Sequence, residues 1–276
     1  MKTAAVERHY GSAGIAERVL AAFRAANGPD ALVTPEGLAP FDHFHGRGVT
    51  ATQEIAAQLA LRPGERVLDI GSGIGGPARW FAAKYGVQVT GVDLTPEFCA
   101  AAEALNAATG LTGYVTILQG SALALPVPDG AFDAAYSQNV IMNIADKQQF
   151  YREAFRVLRP GGRLALSNVC AGPVGEPYFP VPWATTRDTS FLATPEAMRA
   201  DLIAAGFEIV EFRDITDATR EAQRRTRARL EKGDMPKIAV DIVMGERAPE
   251  MQLNSIRSIE DSRGTAIEAL AKKPPL

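Results

Sequence analysis

An α/β fold, a doubly wound and mostly parallel sheet with a helical cap, is predicted by three features of this 276-residue sequence. Short apolar segments alternate with helical ones from Arg66 onward. One of those segments runs into the glycine-rich turn Gly71-Ser-Gly-Ile-Gly-Gly76. Helical stretches lie before the alternation and interrupt its end. Strand–helix alternation places parallel strands under right-handed crossovers, with helices on both faces.

In chain order, Ile15, Val19, Leu20 and Phe23 fall at helical spacing, so Gly14–Asn27 reads as an amphipathic helix. Pro29, Pro35, Gly37 and Pro40 then predict a loop with short turns. A helix over Thr50–Leu61 follows the segment Phe41-Asp-His-Phe-His-Gly-Arg-Gly48. Strands are expected at Arg66–Ile70, Gln88–Asp93, Tyr114–Gln119, Phe132–Ser137 and Gly162–Val169, with helices at Gly75–Lys84, Pro96–Thr109 and Lys147–Leu158. Thr95 as N-cap and Pro96 at the first helical position begin the middle helix. A Pro- and Gly-rich connection, Ala171–Trp183, precedes a helix near Pro195–Ala205 and a strand near Phe207–Ile215. An Arg-rich helix at Asp217–Lys232, a helix near Met251–Ile259 and a last strand near Gly264–Ala271 complete the chain. The expected organisation is an N-terminal helical arm or lid (1–60), a core (61–216), a helical cap insertion (217–260), and the core's last strand and tail (261–276).

Composition narrows the class. Apolar residues make up 46% and charged residues 22%, ordinary for a globular chain that buries a full core without staples. A net charge of −3 argues against nucleic acid as a partner. The two cysteines, Cys99 and Cys170, form no CxxC pair and have no histidine cluster beside them. No metal site or disulfide framework is expected, and a reducing, cytoplasmic setting is. No targeting signal opens the chain, and no apolar run reaches the roughly 18 residues of a membrane span. The oligomeric state is not legible.

Val67-Leu-Asp-Ile-Gly-Ser-Gly-Ile-Gly-Gly76 carries the most chemistry. A strand that ends in glycines lets a ligand lie against backbone. Gly71, Gly73 and Gly76 also satisfy GxGxxG, the dinucleotide fingerprint, and Asp93 suits ribose hydroxyls in either scheme. Asp69 separates the two readings. A carboxylate two residues before the first glycine repels a pyrophosphate, and suits a ligand with an ammonium group and no phosphate. S-adenosylmethionine is such a ligand; the alternative for Asp69 is a cap on the following helix.

These residues resemble the class I S-adenosylmethionine-dependent methyltransferases, whose core is Rossmann-like. Val67–Gly76 is similar to their first motif and Gly91-Val-Asp-Leu94 to the acidic end of their second strand. Leu125-Pro-Val-Pro-Asp-Gly-Ala-Phe-Asp133 is similar to the approach to the fourth strand, and Arg156-Val-Leu-Arg-Pro-Gly-Gly-Arg-Leu164 to the turn into the fifth. The resemblance implies that Asp93 takes the ribose hydroxyls, Leu94 packs on adenine, and Gly71 and Gly73 pass beneath the ligand. Ser72 and Gln138 complete the implied cofactor set with Asp69. Ser121 stands where related sequences often carry an acidic residue for the adenine amino group, so Ser121 or the Ala122 backbone takes that place. S-adenosyl-L-homocysteine would be the product.

Within that class the chain, from Tyr10 to Asp217, resembles the small-molecule branch with sarcosine/dimethylglycine, phosphoethanolamine and tocopherol methyltransferases. Phe41–Gly48 is similar to the arm that closes over the cofactor there, and Pro180-Val-Pro-Trp-Ala184 with Ser190-Phe-Leu192 to the loop after the fifth strand. The resemblance implies in-line transfer of a methyl group to a small acceptor, at nitrogen or oxygen foremost and at carbon as a third choice. Alignment in a closed site is then the enzyme's main task, and a base is needed only if the acceptor must lose a proton.

Ser137-Gln-Asn-Val-Ile-Met-Asn143 is expected beside the transferring methyl. In phosphoethanolamine-type relatives a histidine matches Asn143 and works with an N-terminal tyrosine, while an aspartate matches Asn139. Amides at both positions argue against a cationic ammonium acceptor and remove the obvious base. They serve either as acceptor contacts or as loop caps. His45 is the first candidate base, because imidazole titrates near neutrality, and Tyr10 is the second; the histidine is otherwise a surface or hinge residue. Tyr178 and Trp183 are expected to line the acceptor pocket or to pack the cap. Arg220, Arg224, Arg225, Arg227 and Arg229 form either an anion site or a solvated face. Two other functions compete: a nicotinamide-dependent oxidoreductase, and a non-catalytic S-adenosylmethionine-binding protein.

Overall fold

The computed structural model describes residues 9–10, 13–232 and 239–275. Its strands are β1 (Arg66–Ile70), β2 (Gln88–Asp93), β3 (Val115–Gln119), β4 (Phe132–Gln138), β5 (Leu158–Ala171), β6 (Glu208–Asp214) and β7 (Gly264–Lys272). They form one sheet in the order β3-β2-β1-β4-β5-β7-β6. β7 runs antiparallel to both of its neighbours, and the remaining pairs are parallel. The order reverses between β1 and β4, and a crevice opens at such a switch point beyond the carboxyl ends of the strands.

Three helices precede the sheet: α1 (Ile15–Asn27), α2 (Pro35–Asp42) and α3 (Val49–Leu59). The crossovers are α4 (Gly76–Tyr85), α5 (Pro96–Ala108), α6 (Lys147–Val157) and α7 (Pro195–Ala204). Between β6 and β7 lie α8 (Thr216–Lys232), α9 (Ala239–Met244) and α10 (Ala248–Glu260). The two-residue period of β1 explains the layering. Leu68 and Ile70 face a core shared with Phe150, Ala154 and Leu202, whereas Val67 faces Ile55, Leu59, Phe81 and Ala102. A strand covered on both faces is mostly apolar, as β1 is after Arg66 except at Asp69 near its carboxyl end.

The structure departs from the sequence reading in three places. Residues 35–42, expected as loop, are helical. Thr34 Oγ1 accepts from Gly37 N at 3.1 Å and Pro35 occupies the first turn, so the proline that suggested a break is a helix starter. α9 was not anticipated. Its Ile242 and Val243 join Ile15, Val19, Phe23, Leu38 and Phe41 in a third cluster, which packs the β6–β7 insertion against the N-terminal arm. Thr95 holds the N-cap position of α5 without a side-chain bond to that helix; its backbone N–H donates to Asp93 Oδ1 at 2.9 Å instead.

The Arg-rich face of α8 is a paired surface. Arg220 meets Asp217 at 2.9 Å, Arg224 meets Glu221 at 3.1 Å, and Arg227 meets Glu260 at 2.7 Å. The Arg229 side chain lies outside the described residues. Among the described residues no helix is long and apolar enough to cross a membrane.

Candidate active site

A cavity of about 360 Å³ opens at the carboxyl ends of β1, β2 and β4 and is roofed by the arm. Its floor is the turn after β1. Gly71 N and Ser72 N donate to Val92 O at 2.8 and 3.1 Å, which ties the turn to β2. Gly71 has φ +81°, and a Cβ there would lie 2.3 Å from Val140 Cγ2. Gly73 has φ +52°, and a Cβ there would meet nothing within 4 Å. The first glycine is therefore required by packing, and the second leaves the floor open to a ligand.

Two carboxylates flank that floor. Asp93 Oδ2 accepts from Gly73 N at 2.8 Å and Oδ1 from Thr95 N. Burial raises the Asp93 carboxyl above its ordinary range, and the two backbone donors oppose that shift. Asp69, at the end of β1, accepts from Tyr136 OH at 2.7 Å. Burial pushes its pKa up to about 7; the Tyr136 contact opposes the rise and the nearby Asp93 charge adds to it. Two of the lining residues, Ser72 and Gln138, carry buried polar atoms without protein partners among the described residues: Ser72 Oγ, and both ends of the Gln138 amide. Buried polar atoms are rarely left unpaired, so these orphans mark where a polar ligand belongs. Leu94, Ser121 and Ala122 line the far end, with Ser121 Oγ accepting from Leu123 N at 3.2 Å.

The opposite end is built by the segment after β4 and the arm. Tyr10 OH donates to Asn143 Oδ1 at 3.1 Å. The Asn143 amide N donates to Trp183 O at 2.6 Å and Thr189 O at 3.2 Å. Asn139, at φ +55°, bridges arm and sheet in the orientation that satisfies its amide, donating to Ser167 O at 3.2 Å and accepting from Gly46 N at 3.0 Å. His9 docks the start of the arm, with its ring nitrogens 3.0 Å from Pro182 O and from Thr185 Oγ1. Tyr10 and Asn143 thus meet as the resemblance implied, but as a latch. An amide whose N–H groups are both committed to carbonyls takes no proton.

His45 lines the cavity, yet the geometry argues against it as base. Its Nδ1 donates to Gly46 O at 3.2 Å, so Nε2 carries the lone pair and accepts from Thr52 Oγ1 at 3.1 Å. Burial, with the His43 charge beside it, lowers its pKa to about 3. Burial also holds the Tyr10 phenol protonated, well above its ordinary value. Tyr178 does not line the cavity. Its OH donates to Asp261 Oδ2 at 2.9 Å and its ring lies under Arg257 and Arg263 at 4.0 and 4.4 Å. Trp183 backs the site: its indole is buried beside Met142, Val181 and Ala184 and donates to Ser190 Oγ at 3.0 Å. The ring in the wall is Phe191, with Phe44 and Phe98. Phe44 and Phe191 lie in segments the sequence had marked, but which aromatic faced inward was not readable there.

Residues 68–166 match the family model described as a methyltransferase domain. That match takes in little more than a third of the chain. The sheet order and crevice are those of the Rossmann-like class I methyltransferase core. The O-methyltransferase resE of Aspergillus sclerotiorum is 32% identical over 174 residues, covering 61% of this chain and 64% of the relative. Phosphoethanolamine N-methyltransferase 1 of Arabidopsis thaliana is 33% identical over 185 residues, covering 67% of this chain and 37% of the relative. This chain therefore spans less than two thirds of the length of these relatives. Among solved structures, Haemonchus contortus phosphoethanolamine N-methyltransferase 2, in complex with phosphomonomethylethanolamine and S-adenosylhomocysteine, superposes with a TM-score of 0.72 at 23% identity. That likeness covers 91% of this chain and 60% of the other, and is one of fold. Both motif-bearing carboxylates, Asp69 and Asp93, lie within the matched residues 68–166.

Proposed function

We propose that this protein transfers a methyl group from S-adenosylmethionine to a small-molecule acceptor, at oxygen or nitrogen foremost. The observation that carries this reading is the pair of carboxylates, buried Asp69 and half-buried Asp93, flanking an open glycine floor with no arginine or lysine among the described residues lining the cavity. A pyrophosphate at the N-terminus of α4 would lie beside two carboxylates with no cationic side chain in the lining to offset them, which disfavours a nicotinamide dinucleotide. A sulfonium–amino acid–nucleoside fits. Asp93 has lone pairs left for two ribose hydroxyls, Leu94 packs against adenine, and Ser121 or the Ala122 backbone meets its amino group. Asp69, Ser72 and Gln138 are left for the amino acid head. Bound there, the cofactor would supply an electrophilic methyl group.

The protein's share of the chemistry is alignment and exclusion of water. Tyr10–Asn143 and Asn139–Gly46 hold the arm down over the cavity. An acceptor lone pair would form the new bond to carbon as the carbon–sulfur pair stays on sulfur, and any acceptor proton would pass to bulk solvent as the product leaves. Replacing His45 by alanine is then expected to lower turnover by less than about tenfold, whereas loss of a general base costs about 10²–10⁴-fold. A loss of that larger size, measured as kcat at saturating cofactor, would restore His45 as the base.

The raised Asp69 pKa gives a pH signature. The ionised carboxylate attracts the ligand's ammonium, so protonation competes with binding. With a pKa of about 7, affinity for S-adenosylhomocysteine is expected to fall about tenfold from pH 8 to pH 6. Asp69→Asn should flatten that profile; a wild-type profile already flat would contradict the assignment. The paired α8 arginines and the two buried, free cysteines support a cytoplasmic enzyme without a nucleic-acid partner. Titration calorimetry against S-adenosylhomocysteine and NAD tests the reading. Binding of the first alone is expected, and binding of NAD alone would overturn it.

A further inference from the structure

The acceptor end of the cavity has an electrostatic character of its own. Tyr10, Phe44 and Phe98 form a triangle of rings with centroids 5.5 to 6.3 Å apart. Phe191, Leu123 and Ile144 extend the apolar wall. Among the described residues no arginine or lysine lines it. The nearest cation in sequence, Lys147, is turned away, its Nζ donating to Ile141 O at 2.9 Å and Ile144 O at 2.8 Å.

The carboxylates are committed as well. Asp42 lies between Arg79 and His43, at 2.8 and 2.9 Å. Asp146 caps α6 through Gln149 N at 3.0 Å and sits exposed at the cavity mouth. Asp69 and Asp93 belong to the cofactor floor. A phosphate would find no cation here, and an ammonium no carboxylate that is both buried and unpaired. A charge taken from water into such a wall without a partner is strongly penalised. One polar feature does face an acceptor. The Tyr10 hydroxyl spends its proton on Asn143 Oδ1, so its oxygen presents lone pairs to the cavity and accepts a hydrogen bond.

Resting on the methyltransferase reading, we infer that the acceptor is an uncharged, largely apolar molecule carrying a hydroxyl that donates to Tyr10. It is neither a phosphate ester nor an ammonium. The hydroxyl oxygen would form the bond to the methyl carbon while the carbon–sulfur electron pair stays on sulfur, and its proton would pass to bulk solvent as the product leaves, so charge and atoms balance.

A matched series tests this: 2-naphthol, 2-naphthyl phosphate and 2-naphthylmethylamine share an apolar body and differ in the polar group. Each is titrated calorimetrically into the full chain saturated with S-adenosylhomocysteine. The expected result is that 2-naphthol binds at least about tenfold tighter than either charged analogue, and that Phe191→Ala weakens it while S-adenosylhomocysteine binding persists. Equal or tighter binding of the phosphate or the amine overturns the inference, as does equal and weak binding of all three. S-adenosylhomocysteine is titrated separately, so its failure to bind would bring down the parent reading and this inference with it. Normal cofactor binding with the wrong probe preference would bring down this inference alone.

Discussion

Replacing Arg79 by alanine is expected to destabilise the folded chain by about 3–5 kcal/mol. The Arg79 side chain is fully buried and uses four acceptors. Its Nη2 donates to Asp42 Oδ2 at 2.8 Å and Ile74 O at 2.7 Å, and its Nη1 to Asn106 Oδ1 at 3.0 Å and Ala102 O at 3.3 Å. These contacts join the end of α2 to α4 and α5 at a tight crossing, where a Cβ on Gly76 would lie 2.4 Å from Asp42 O. The alanine variant would leave the Asp42 carboxylate buried without its guanidinium. Burial alone raises that carboxyl's pKa, and the Arg79 charge and the His43 contact overcome it to hold the group below its ordinary value. In the wild type this pairing therefore stabilises the fold above the ordinary carboxylate pKa, and the contribution is lost as pH falls through the depressed one. Urea unfolding at pH 7 measures the effect, and a loss below about 1 kcal/mol would show that the pair is dispensable. Replacing both partners by apolar residues of similar volume should recover part of the loss, because no charge then stays buried alone.

Asp93→Ala is expected to weaken S-adenosylhomocysteine binding by about 10- to 100-fold, the range for losing one or two hydrogen bonds to a charged acceptor. Two effects act together. The carboxylate that would take the ribose hydroxyls disappears, and Gly73 N and Thr95 N lose their acceptor, which loosens the floor itself. Calorimetry measures the change. Unchanged affinity would remove Asp93 from the cofactor site, whereas loss of binding together with a collapsed melting temperature would mark it as structural. Asp93→Asn, which keeps one carbonyl acceptor, should fall between the two.

What the sequence revealed and what it hid divide along local and non-local chemistry. The strands of the sheet carry period-two or continuous apolar runs, and the glycine floor with Asp69 and Asp93 spans one strand–turn–helix–strand unit. Such features are written in neighbouring residues. α2 was hidden because Pro35 and Pro40 look like breakers unless Thr34 is recognised as the cap that precedes a first-turn proline. α9 was hidden because its partners, α1 and α2, lie some two hundred residues earlier in the chain. The acceptor end suffers most, since it is assembled from Tyr10, Asn143, Trp183 and Thr189, brought together only by the fold. His45 was attractive because imidazole titrates near neutrality, but its lone pair is spent on Thr52 and its ring is held in a setting that disfavours the cation. Tyr178 lies in a loop that suits a pocket aromatic, but Arg257 and Arg263 stack on its ring, an arrangement that stabilises a surface cluster.

The most direct test of the central claim is transfer itself. Purified protein is incubated with methyl-labelled S-adenosylmethionine and a fractionated small-molecule extract, and products are searched by mass for the label. The expected result is a labelled product that requires active protein, grows with time together with S-adenosylhomocysteine, and is lost in Asp93→Ala. Confirmed cofactor binding with no labelled product from any fraction would contradict it and favour a cofactor-binding protein without methyl transfer.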